Sequence, residues 1–289
     1  MRTATARLFI FFSLGLLLMA QGVPPRTAED AESLDAARTD RDLTQCTMEN
    51  EVFQDGEEIT YQIYYNWNFV WLTAGEVVFR VHDLGDQYHL SVVGKTYPSY
   101  EWFFKVEDKY DTYIDKQTLL PRVSIRDVQE GGYRLYDKVV FNREANIARS
   151  LRGKTSDTAE WSEYPIEQCM HDILSIIYFT RNLNFDDMSK GERIPIKIFM
   201  DKETWPLEVE YKGKDPKKRV RGLGKFRTIQ FSPEVIAGNI FEEGARMEVW
   251  VTDDKNRLPV LIESPVSVGS VKAMLKDYKG LKYEMTAEH

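Results

Sequence analysis

Two cysteines, four histidines and a single long apolar run are all that this 289-residue chain offers to several common chemistries. Cys46 and Cys169 stand 123 positions apart with no C-x-x-C spacing, which argues against both a thiol redox pair and a cysteine metal site. His82, His89, His171 and His289 are scattered and form no H-E-x-x-H or comparable ligand pattern, so no metal is expected. Neither a G-x-S-x-G elbow nor a G-x-x-x-x-G-K-[ST] phosphate loop occurs, and the "GLGK" at Gly222 is too short to stand for one. These absences leave no catalytic residue and no cofactor to name, and an enzyme is the weaker expectation.

Positive charge is also in short supply. The 38 Lys and Arg face 46 Asp and Glu, a formal charge of -8. Nucleic acid rewards clustered positive charge with counterion release, so it is a poor fit as a partner. The apolar run, Leu8 to Met19, follows Arg2 and Arg7 and precedes Ala20 and Gly22, the order of a secretory leader spanning residues 1–22. Its length falls short of the roughly 20 residues that cross a bilayer as a helix. Cleavage would move the charge to -10 and leave a mature chain without a transmembrane span. Residues 23–47 are rich in Ala and acids and almost free of large apolar side chains, as expected of a flexible tether. In an oxidising compartment the lone pair Cys46 and Cys169 is expected to form one disulfide.

What the chain has is alternation. "GEVVFRVHD", "QYHLSVVG", "YDTYID", "RVSIRDV" and "YRLYDKVVFN" are short runs of Val, Ile, Tyr and Phe with period two, separated by Gly, Asp, Asn and Pro. One stretch departs from it. "PIEQCMHDILSIIYFTRNL" has helical spacing and predicts a connecting helix over 166–184, and "SYEWFFKVED" predicts a shorter one. "GEEITYQIYY" at Gly56 is echoed by "GERIPIKIFM" at Gly191, and "TYIDKQTLLPRVSI" at Thr112 by "VWVTDDKNRLPVLI" at Val249, at offsets of 135 and roughly 138. We therefore expect a mainly β fold, antiparallel curved sheets or an open barrel, built from two similar tandem units with one long helix between them. The units are 48–165 and 185–289, together one compact domain over 48–289.

Candidate binding residues come from two places. In "ITYQIYYNWNFVW" the residues Tyr61, Tyr65, Trp67, Phe69 and Trp71 share one face if the strand is continuous, with a turn or bulge expected near Asn66 to Asn68. That face either lines a concavity for a lipid-like or apolar ligand, or is filled core of a structural or adaptor protein of the envelope. In "KGKDPKKRVRGLGKFR" the side chains Lys212, Lys214, Lys217, Lys218, Arg219 and Arg221 form a basic patch, read as a solvated hairpin turning at "GKDPKK" or as a contact for phosphate headgroups or an acidic envelope protein. The acidic "TDDKNRLP" is better read as a turn than as a calcium loop, having too few oxygens of its own.

Taken in order, "GEEITYQIYYNW", "AGEVVF", "FFKVEDKYDTYID" with "LLP", "EGGY", "DILSIIYFTRNL", "WVTDDKNRLPV" and "GSVKAML" resemble the exported bacterial family catalogued as domain of unknown function 3108. The resemblance spans most of residues 50–280. It implies a protein of the periplasm or cell envelope of a Gram-negative bacterium, carries no known activity and transfers no catalytic residue. More distantly, a curved antiparallel sheet wrapping a helix is similar to the envelope lipoprotein carriers, an analogy of fold alone.

Overall fold

The computed structural model of the protein describes residues 48–67, 70–102, 104–235, 245–266 and 269–289, and of residues 67 and 70 the backbone only. A first run of strands comprises β1 (Glu58–Trp67), β2 (Val70–Asp83), β3 (Gln87–Thr96), β4 (Glu107–Asp115), β5 (Pro121–Glu130), β6 (Tyr133–Asn142), β7 (Ile147–Gly153) and β8 (Glu160–Pro165). One helical turn, α1 (Pro98–Glu101), lies between β3 and β4. A helix, α2 (Ile173–Arg181), leads to a second run, β9 (Arg193–Met200), β10 (Glu203–Val220), β11 (Gly224–Pro233), β12 (Glu248–Thr252), β13 (Pro259–Pro265) and β14 (Ser270–Lys279). Each run is an antiparallel meander, and pairing of β1 with β14 fuses them into one 14-stranded sheet with β8 and β9 at its edges. The expected mainly β, antiparallel architecture is present.

The sequence motifs that repeat occupy corresponding places. Gly56 and Gly191 precede β1 and β9, both at positive φ (79° and 89°), and each donates its N–H to the next strand, at Val81 and Tyr211. Pro121 and Pro259 open β5 and β13, each two residues after a non-glycine residue in the left-handed region, Leu119 and Arg257.

Strand β1 turns Ile59, Tyr61, Ile63 and Tyr65 inward, the alternation its sequence shows. The row does not continue into β2. A register shift opposite Ile63 and Tyr64 brings Asn66 opposite Trp71, on the outer face of the sheet. At that bulge Gly75 lies against β3 so closely that a Cβ there would fall 2.2 Å from the Lys95 carbonyl oxygen.

The connecting helix is shorter than the sequence pattern implies. It starts at Ile173 because Asp172 caps it, accepting from the N–H of Ser175 at 3.0 Å while the Ser175 hydroxyl meets the Asp172 N–H at 3.0 Å. Residues 166–171 instead span the seam between the sheet edges. Ile166 donates to Asn146 O at 2.9 Å, and His171 exchanges backbone hydrogen bonds with Lys197 and Phe199 of β9. Met170 and Ile166 pack there with Phe141, Ala148 and Phe199. Arg126 and Arg152 complete the closure, bridging Asp137 of β6 to Asp201 of the β9–β10 turn over 2.6–2.8 Å. The second expected helix is only the single turn α1, since Val106 already pairs with Glu130 and β4 follows. Of the expected disulfide, Cys46 lies outside the described residues and Cys169 is not a free thiol. The leader and tether, residues 1–47, also lie outside them.

Inside the sheet, α2 is anchored by charge. The Arg181 guanidinium meets both Glu57 oxygens at 2.7 and 2.9 Å and donates to Asn256 O at 3.1 Å, with side-chain exposures of 3% and 0% for Arg181 and Glu57. Burial works against the Arg181 charge, and the Glu57 carboxylate more than compensates, holding the guanidinium above its ordinary range. Removing one member leaves the other charged and alone in an apolar interior. Glu57→Ala is therefore expected to lower stability by about 3–5 kcal/mol, whereas the double variant Glu57→Leu/Arg181→Met keeps most of it, a contrast read from urea unfolding curves.

His171, buried beside Ser175 at the seam, is pushed down to about 3 by burial and then by the Arg143 charge. The folded chain thus carries it neutral while the unfolded chain takes up a proton below the ordinary value of 6.5. Its contribution is complete above that value and is lost as pH falls toward 3. Relative to His171→Asn, the parent should lose about 1.4 kcal/mol per pH unit between pH 6 and 4.5, measured by denaturant unfolding at each pH.

Candidate binding cavity

The helix is packed unequally against the two runs of strands. Toward the first run, Tyr178 sits edge-on to Phe53 at 4.9 Å and Phe53 edge-on to Tyr88 of β3 at 5.1 Å. Toward the second run the contact opens into a cavity of about 230 Å³. Ile176 and Ile177 of α2 form one wall, and Ile196, Val249, Ile262 and Ala273 of β9, β12, β13 and β14 form the other. Tyr61 and Ile63 of β1 and Phe79 of β2 close one side. The lining is mainly aliphatic, with the rings of Tyr61, Phe79, Tyr178, Phe185 and Phe231 among it.

Polar atoms in the lining are few and mostly engaged. Tyr61 donates its hydroxyl to Pro259 O at 2.9 Å, and burial pushes its ionisation upward. Thr180 and Ser264 donate to the carbonyls of Ile177 and Pro265. Glu234 is paired with Arg246 at 2.7 Å, and Arg181 with Glu57. Among the described residues, Arg181 is the lining residue that has a buried side-chain nitrogen, Nε, with no hydrogen-bond partner. No group of three or more His, Cys, Asp or Glu among the described residues could hold a metal ion.

Of the aromatic row read from sequence, Tyr61 lines the cavity and Tyr65 is buried in the same inward row, opposite Val271. Phe69 and the side chain of Trp67 lie outside the described residues. Trp71 does not join them: it is 40% exposed on the outer face, with the Lys272 ammonium 4.8 Å from its ring centre. The bulge in β2, which sets Trp71 opposite Asn66, reverses its side. The basic residues follow the far part of β10 and the turn after it, whereas β10 meets the cavity through Leu207 and Val209. Lys212 pairs with Glu210 and Lys214 with Asp253, and Lys218 lies 3.2 Å over the Trp250 ring. Lys217, Arg219 and Arg221 remain exposed. The hairpin does not turn at "GKDPKK"; β10 continues through it with two register shifts, the second of which accommodates Pro216, and the turn falls at Arg221–Leu223. Sequence reasoning missed the second wall. Ile196, Val249, Ile262 and Ala273 carry the same alternation as any half-buried strand, and nothing local distinguishes a lining position from a packed one.

No curated protein matches the chain. Among solved structures it is similar to a β-barrel-like protein of domain of unknown function DUF1849 from Brucella abortus, with TM-score 0.54 and 8% identity over 81% of this chain and 100% of that one, a likeness of fold. Weaker similarities link it to a candidate lipoprotein of Parabacteroides distasonis (TM-score 0.28, 11% identity, 81% and 100% covered) and to a candidate exported protein of Bacteroides fragilis (TM-score 0.30, 12%, 80% and 99%). Residues 60–276 match the family model described as "Protein of unknown function (DUF3108)", and the chain belongs to that family.

Proposed function

We infer that the protein binds an apolar, lipid-like molecule in the cavity between α2 and the second run of strands, and acts as a non-enzymatic carrier or reservoir for it. The observation that carries this reading is the cavity itself. Protein interiors pack to crystal-like density, and voids much larger than a water molecule are few. A 230 Å³ space walled mainly by aliphatic and aromatic side chains is too apolar to hold ordered water and large enough for part of a hydrocarbon chain. A filled structural core, the competing reading, would close it, as the Phe53–Tyr178 side of the helix is closed. The leader read from the sequence would deliver such a protein to the cell envelope, where lipids are at hand. No helix among the described residues is long and apolar enough to cross a membrane.

Filling the space separates binding from folding. The parent should take up the neutral fluorophore N-phenyl-1-naphthylamine, seen as a rise in emission, and Ala273→Trp should weaken that uptake at least tenfold with the thermal midpoint held or raised. If Ala273→Trp fails to fold, Val249→Phe tests the same space. A parent that takes up no fluorophore, or a folded filled variant that binds it unchanged, would contradict the reading.

A further inference from the structure

Exposed tryptophans gather at one end of the sheet. Four large apolar side chains among the described residues are exposed, and three of them are Trp102 at 84%, Trp161 at 49% and Trp71 at 40%. Strand direction places all three at the same end: Trp71 follows the turn from β1 to β2, Trp102 follows α1 in the connection from β3 to β4, and Trp161 is the second residue of β8, just after the connection from β7. Half-buried Tyr100, Phe104, Tyr133 and Trp205 belong to connections and strand starts at this end too. At the opposite end, which carries the β10–β11 turn, Leu84 is the one exposed large apolar side chain among the described residues.

The arrangement selects the partner. Tryptophan is apolar in bulk with a single N–H donor, and its preferred setting is the boundary between hydrocarbon and water. Two of the rings carry a cation, Lys272 at 4.8 Å from the centre of Trp71 and Arg149 at 5.0 Å from that of Trp161, and each cation is in turn paired, with Glu263 and Glu163, so neither ring brings net charge. The rings are also spread out, since five strands separate β2 from β8 in the sheet. With the edges closed at the seam they are points on a rim and not one continuous patch. A folded protein partner needs a contiguous complementary patch, whereas a flat bilayer surface meets a whole rim at once.

We propose that this end of the sheet docks on a lipid bilayer surface, with Trp102 seated at the level of the headgroups and Trp71 and Trp161 at the margin of the contact. Docking does not require the cavity to be a ligand site, but it bears on that reading: Met200 and Ser264 of the lining stand at the same end, at the close of β9 and β13.

Cosedimentation with phosphatidylcholine vesicles at low and high salt tests it. The parent should bind at both, because the contact is apolar and not ionic. Trp102→Ser should weaken binding about tenfold with the thermal midpoint unchanged, the effect of withdrawing one large side chain from the interface, and Trp102→Phe should keep most of the affinity. Trp161→Ser, across the rim, should weaken it as well, and decides the matter if Trp102→Ser fails to fold. Lys217→Glu/Arg221→Glu, at the opposite end, should bind as the parent does. A parent that does not sediment with vesicles, tryptophan variants that bind unchanged, or loss of binding in the Lys217/Arg221 variant would overturn the proposal. So would a parent dimer that Trp102→Ser dissolves in the absence of any vesicle binding, which would make the rim a contact between copies of the chain. Uptake of N-phenyl-1-naphthylamine in solution, without vesicles, tests the cavity separately, so failure of one reading is told apart from failure of the other.

Discussion

The buried pair of Glu57 and Arg181 is the constraint on which the rest of the interior depends. Glu57 immediately precedes β1, Arg181 ends α2, and the carbonyl of Asn256 that shares the guanidinium belongs to the β12–β13 turn. Asn256 also holds the C-terminal segment, donating to Tyr283 O and accepting from its N–H at 3.1 Å. One charge cluster thus ties together the start of the first meander, the helix, the second meander and the tail. Two ions so buried are tolerated only with complete mutual pairing, so the cluster sets where α2 stops and how it sits inside the sheet.

With that end fixed, the opposite end of the helix is held at the seam by Asp172, His171 and the segment that pairs with β9. A helix pinned at both ends cannot slide to fill whatever space remains. It lies against Phe53 on one side, and on the other it stands away from the inner face of β9–β14. The cavity is therefore a consequence of anchoring as much as of side-chain size.

Much of the fold was legible in the sequence because alternation and turn chemistry are local. The inward row Ile59, Tyr61, Ile63, Tyr65 and the turns before Pro121 and Pro259 were readable from a few neighbouring residues. Three things were not, each because it depends on distant partners. The helical spacing around Cys169 held for only part of its length, since Ile166 bonds to Asn146 and His171 to β9 instead of to a helix. Trp71 changed face at a bulge that Gly75 makes possible against β3, which no period-two count reveals. Glu57 and Arg181 read as ordinary charges flanking apolar runs, and their pairing across 124 positions appears only in three dimensions. The cavity shares that property, because a lining Ile and a packed Ile are the same residue in the sequence.

The central claim is that the interior is built around a molecule the chain itself does not supply. Native mass spectrometry of the protein isolated from its own cell envelope in a mild detergent, followed by organic extraction of the same sample, tests it most directly. The account predicts a mass above that of the polypeptide, matched by one apolar molecule per chain that is released on denaturation. A bare polypeptide mass, with nothing recovered in the extract, would contradict it.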